Sequence, residues 1–157
     1  MQCFKKYHYL KESIMKKNGC VCDFVPRRNA ELYKTFRHTL VSTSSVDMDL
    51  IYKLTADAPS SRFWTSERRA AEVISMMLRG ISISFMSPTR QEMFRELFRR
   101  FLELRSADPK ESVSQTVVQA VNSPAPKFYL TPKSVKVILC RYRAQMRAAK
   151  DKKGGER

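Results

Sequence analysis

The chain has 157 residues, 43% of them hydrophobic, with 30 Lys+Arg against 15 Asp+Glu and a formal net charge of +15. That length suits one ordinary domain or two very small ones, and the apolar content supports a packed core, which excludes wholesale disorder. No apolar run approaches the roughly 18 residues of a spanning helix, and the charge excess points to an anionic partner: nucleic acid first, an acidic protein or a membrane surface next.

The opening MQCFKKYHYLKESIMKK is basic but lacks the apolar stretch of a secretory signal. Met15-Lys16-Lys17 reads as a start in its own right, so residues 1–14 are expected to be a dispensable extension, and 1–26 a basic, partly disordered arm. A first three-helix unit is expected over 27–86. Its helices run from about Arg28 to Val41, Met48 to Ala56 and Glu67 to Arg79, with Asp47 and Ser66 as N-caps and Gly80 closing the last one. Ile81 to Met86 joins it to a second unit and is apolar enough to pack against either.

That second unit is expected over 87–147. Ser87-Pro88 starts a helix from about Thr89 to Arg105, with Met93, Leu97, Phe101 and Leu104 as its apolar stripe. Glu96 with Arg100, and Arg95 with Glu103, would charge its outer face, and Ser106-Ala-Asp-Pro109 would end it. The next helix starts near Ser112, with Gln115 completing a capping box, and turns Val113, Val117, Ala120 and Val121 to one side. β-Branched valines make a strand a competitor there. Thr131-Pro132 then gives the clearest helix start in the chain. Val135, Ile138, Leu139, Tyr142 and Met146 form the expected buried stripe, opposite Lys133, Lys136, Arg143, Arg147 and Lys150. Residues 148–157 read as a polar tail.

An internal repeat organises these elements. At an offset of 65, Arg62 meets Lys127, Phe63 meets Phe128, Trp64 meets Tyr129 and Ser66 meets Thr131. Upstream, Leu32 meets Leu97, Tyr33 meets Phe98 and Phe36 meets Phe101 without a gap. The fold expected is therefore all-α: two tandem three-helix units, helix-turn-helix-like, related by a 65-residue internal repeat.

Three short helices with a basic, exposed last one resemble the helix-turn-helix class of DNA-binding domains. The links from helix two to helix three, Asp57 to Thr65 and Asn122 to Leu130, exceed the usual tight turn, so a standard crossing angle does not follow. The whole chain also resembles uncharacterised short basic proteins of bacterial chromosomes and mobile elements, a resemblance that implies no particular activity.

The resemblance and the charge together predict nucleic-acid binding, double-stranded DNA ahead of RNA. Capped helix N-termini offer backbone N–H groups to phosphates, and Lys and Arg add Coulomb attraction and reach base edges. The expected contact residues are Lys127, Thr131, Lys133, Lys136, Arg141, Arg143, Arg147 and Lys150 in the second unit, and Arg62, Arg68 and Arg69 in the first. The first unit would brace the second or meet a protein partner. The competing expectation is an adaptor that docks an acidic partner and exposes an apolar patch along Met76 to Phe85. Trp64 and Tyr129 fit base stacking or packing; Phe63 and Phe128 read as core.

No Walker loop, HExxH or GxSxG motif supports catalysis, so neither an enzyme nor a cofactor is expected. Cys20-Val-Cys22 lacks the second ligand pair of a structural zinc site, so no metal is expected, and the thiols suit a reducing cytoplasm. Cys140, in the run VKVILC, reads as a buried filler. No membrane role is expected, and nothing in the sequence sets an oligomeric state.

Overall fold

Each of four helices begins where a small polar side chain can replace the missing intrahelical acceptor. Asp47 accepts from the N–H of Asp49 (2.9 Å), Ser66 from Arg69 (3.2 Å), Ser112 from Gln115 (3.3 Å) and Thr131 from Ser134 (3.2 Å). The structure is a computed structural model that describes residues 24–44 and 46–154, with side chains through Asp151. Six helices occur in order among these residues: α1 (Val25–Ser42), α2 (Met48–Asp57), α3 (Glu67–Leu78), α4 (Pro88–Ala107), α5 (Val113–Asn122) and α6 (Pro132–Gly154). The described residues form no strand, only an isolated antiparallel bridge between Ser60 and Ala125. The expectations for residues 1–14, for a start at Met15, and for Cys3, His8, Cys20 and Cys22 lie outside the described residues.

The strand alternative for α5 loses because Val117, Ala120 and Val121, at helical spacing, bury one face together with Thr116. Val113, expected on that face, is 45% exposed. The expected polar tail is helical as far as Gly154. Two side chains of α6 are corrected: Met146 and Cys140 are exposed. Cys140 follows the buried Leu139 by one residue, about 100° round the helix, which turns it away from the core. On α4, Arg99 rather than Arg100 pairs with Glu96 (2.5 Å) and also reaches Glu103, while Arg95 bonds Gln91 instead.

The grouping of helices departs from chain order. α6 packs on α1 and α2, while α3 packs on α4 and α5; among the described residues α3 makes no packing contact with α1 or α2. The trios expected over 27–86 and 87–147 are therefore not the packing units. The reason lies in the long links. Residues 58–65 and 123–130 are irregular links that cross each other at one antiparallel bridge, each leading into a helix that packs on the far group. Ser60 and Ala125 exchange both backbone hydrogen bonds at 3.0 Å. Flanking this pair, Phe63 N–H donates to Val121 C=O (3.0 Å) and Phe128 N–H donates to Ala56 C=O (3.1 Å). Each of these contacts has a counterpart 65 residues away. Helix ends Ser42 and Ala107, starts Met48 and Val113, ends Asp57 and Asn122, and starts Glu67 and Pro132 keep the same offset.

Two buried cores result. One holds Ala70, Val73 and Ile74 of α3 with Phe94, Leu97 and Phe101 of α4 and Val117 and Val121 of α5. The other holds Leu32 and Phe36 of α1 with Ile51 of α2 and Val135 and Leu139 of α6. The crossing links stitch them together. Phe63 enters the first core and its neighbour Trp64 the second; Phe128 enters the second and Tyr129 the first. Turns at these dipeptides send neighbouring rings to opposite cores: Thr65 N–H bonds Phe63 C=O (2.9 Å) around Trp64, and Tyr129 takes a φ of +54°. The linker adds Ile83 and Met86 to the first core.

Because each core needs side chains from both halves of the sequence, the two should melt together. Phe63→Ala and Phe128→Ala, both at positions no more than 2% exposed, are each expected to cost about 3–5 kcal/mol. Urea denaturation followed by circular dichroism should show one transition in the parent and in each variant; two separated transitions would contradict the crossed arrangement.

Candidate nucleic-acid interface

The sequence-predicted contact residues divide into three sets. Those beside the crossing are already engaged. Arg62 lies over the Trp64 ring at 5.7 Å and donates to the carbonyls of Phe63 (3.3 Å) and Thr65 (3.4 Å). Burial, with Arg27 nearby, pulls its guanidinium below the usual arginine range against the opposing pull of Glu67. Lys127 sits 5.5 Å over the Tyr129 ring and pairs with Glu92 at 2.5 Å. The rings they cover are 8% and 9% exposed, so Trp64 and Tyr129 pack rather than offer a stacking face.

The second set is neutralised at the surface. Arg68 and Arg69 both bond Glu72, at 3.1 and 3.3 Å. Burial raises the Glu72 carboxyl, but hydrogen bonds from Arg68 and Arg69 outweigh it and hold the group below the usual carboxylate range. The α6 N-terminus is no open anion site either. Pro132 has no N–H, and the Thr131 hydroxyl serves Ser134. Lys133 and Lys136, which belong to the third set, line a shallow groove with the N-cap Asp47 and with Asp49 of α2.

The third set remains available. Lys133, Lys136, Cys140, Arg143, Arg147 and Lys150 succeed one another at spacings of 3, 4, 3, 4 and 3, which keeps them on one face of α6. All six are exposed. Among the described residues none of the five cations forms an ion pair. The stripe extends over about 26 Å at 1.5 Å per residue. Arg141 is exposed too, but about 100° round from Cys140, so it stands off the stripe. Toward its C-terminal end the stripe meets Tyr33 of α1. Arg143, Met146, Arg147 and Lys150 form a cleft with that tyrosine. Tyr33 packs on Tyr142 with ring centres 5.4 Å apart. Tyr33 is not among the sequence-predicted contact residues, because its match to Phe98 across the offset follows an aromatic pattern and carries no charge signal.

Among the described residues no three His, Cys, Asp or Glu side chains converge as a metal site, and no helix is long and apolar enough to cross a membrane. Comparison with protein-family models, with curated proteins and with solved structures finds no significant match in any of the three.

Tyr129, beneath Lys127, gives a test of how tightly the crossing is closed. Burial first, then the carboxylates of Glu96 and Glu92, push its hydroxyl from 10.0 up to about 12. The folded state thus holds the proton more firmly than the unfolded one. Stability from this source is intact below about pH 10 and is lost as pH rises through about 12. Tyr129→Phe is expected to flatten the alkaline limb of the urea midpoint against pH. An unchanged limb would place the hydroxyl in water.

Proposed function

We propose that this chain is a nucleic-acid-binding accessory or regulatory protein that lays the cationic face of α6 against double-stranded DNA, acting in the cytoplasm without catalysis. The carrying observation is the unpaired stripe of Lys133, Lys136, Arg143, Arg147 and Lys150 on an exposed helix of 23 residues. Phosphates meeting such a stripe release counterions, which supplies most of the non-specific affinity. The matched helix boundaries and crossing contacts support reading the chain as an internal repeat of a helical trio whose third members have changed places. On that reading a helix-turn-helix-like pair is rebuilt between α2 and the exchanged α6, not between consecutive helices. The two copies would then divide the work: α6 carries unpaired cations, whereas the cations at the start of α3 are spent on Glu72.

A second reading has its own observation. Leu78, Ile81 and Phe85 are 51%, 43% and 65% exposed around the end of α3, within the segment where an adaptor would show an apolar patch. Binding through that patch would be insensitive to salt, whereas binding through α6 is not.

The triple variant Lys136→Ala, Arg143→Ala, Arg147→Ala should keep its helical circular dichroism and lose duplex retention in a gel shift. The slope of log affinity against log salt should become shallower by about three. Duplex should also slow alkylation of Cys140, which lies within the stripe, when the modified peptide is tracked by mass spectrometry. Undiminished retention by the triple variant would remove α6 from the role.

A further inference from the structure

The cleft between α1 and α6 differs from the rest of the stripe in what surrounds its cations. Arg143, Arg147 and Lys150 share it with Tyr33 and Met146, and no carboxylate lines it. Lys133 and Lys136, in contrast, share their groove with Asp47 and Asp49. An anion approaching the stripe therefore meets the least competition at the cleft. Its volume of about 210 Å³ falls below the roughly 300–1,000 Å³ of a small-molecule pocket, so it suits one charged group of a larger ligand. Two of the cations are arginines, whose planar fork matches phosphate oxygens, and a tyrosine hydroxyl is a neutral donor of the kind that contacts backbone phosphates. The fold does not require these side chains. Counting 65 residues back from Arg143 gives Leu78, and 65 forward from Tyr33 gives Phe98, so the other half places apolar groups at these two positions, while Arg147 and Lys150 lie where α6 continues beyond the length of α3.

We propose that this cleft is a phosphate seat, with the Tyr33 hydroxyl donating to a phosphate oxygen and Arg143, Arg147 and Lys150 balancing its charge. The inference rests on the nucleic-acid reading for its ligand, a backbone phosphodiester. A seat on α1 and α6 together would fix where along α6 the strand runs, which a bare stripe cannot do.

The test uses the full-length chain with two probes, a short DNA duplex and inorganic pyrophosphate. Tyr33→Phe keeps the ring against Tyr142 and removes only the hydroxyl. Duplex affinity should fall about tenfold with its salt dependence unchanged, since no charge is lost. Arg147→Ala should weaken binding and also make the salt slope shallower by about one. Lys150→Ala, at an exposed position, repeats the charge test without touching packing. Pyrophosphate should give saturable amide shifts in the turns holding Tyr33 and Arg143 to Lys150, and these should vanish in Arg143→Ala/Arg147→Ala. If duplex binding persists and Tyr33→Phe, Arg147→Ala and Lys150→Ala all bind like the parent, the seat is overturned while the nucleic-acid reading stands. If duplex fails to bind but pyrophosphate saturates the cleft, the seat holds for a free phosphate ligand and the nucleic-acid reading falls.

Discussion

Everything in this molecule depends on two irregular links that cross and fill both cores at once. Ser60 and Ala125 fix the crossing through paired backbone bonds, and Phe63-Trp64 and Phe128-Tyr129 plug in from either side. The magnitudes show which contribution dominates. Each of the four backbone bonds adds about 1 kcal/mol net. Each buried aromatic is worth several times that when truncated. The hydrogen bonds therefore set the geometry of the crossing, and the aromatics supply its stability. Arg62 over Trp64 and Lys127 over Tyr129 close the outer side, which explains why cations that looked available are not.

The same crossing decides where the basic helix goes. α6 reaches α1 and α2, not its sequence neighbours, and so its cations come to lie beside Tyr33. It is also longer than α3, 23 residues against 12. α3 stops because Gly80, with φ of +71°, ends it in a reversed turn, with Gly80 N–H bonding Met77 C=O and Ile81 N–H bonding Met76 C=O. Sixty-five residues later stands Gln145, a good helix former, and the helix continues to Gly154. With no such stop at Gln145, α6 carries the stripe on to Arg147 and Lys150.

Much of this was legible in the sequence, for reasons that are local. Asp47, Ser66, Ser112 and Thr131 cap helices through bonds spanning two or three residues, so their role is visible without tertiary knowledge. The apolar stripes named the buried faces of α4 and α6 largely correctly. A stripe says which face is buried but not against what, and so the packing of α3 on α4 and α5, and of α6 on α1 and α2, was not legible. Nor could composition reveal that Glu92 would reach Lys127 across 35 positions, or that Glu72 would take both Arg68 and Arg69. Cys140 is different. It falls in phase with Lys136 and Arg143, so the spacing already placed it on the cationic face, and the apolar run around it misled.

The cations of α6 have one structural explanation that must be weighed against the binding one. Positive side chains near a helix C-terminus stabilise the macrodipole by about 0.3–1 kcal/mol, but the effect fades within the last turn. Lys150 lies close enough to Gly154 to benefit. Arg147 stands nearly two turns before the end, and Arg143 and Lys136 three turns or more. Mutual repulsion at i and i+4, as between Arg143 and Arg147, works against the helix. Helix stability therefore accounts for the last cation and is opposed by the central ones. A face that keeps Arg143 and Arg147 together, exposed and without an ion pair among the described residues, is therefore not accounted for by helix stability, and it is this remainder that the proposed anion would use.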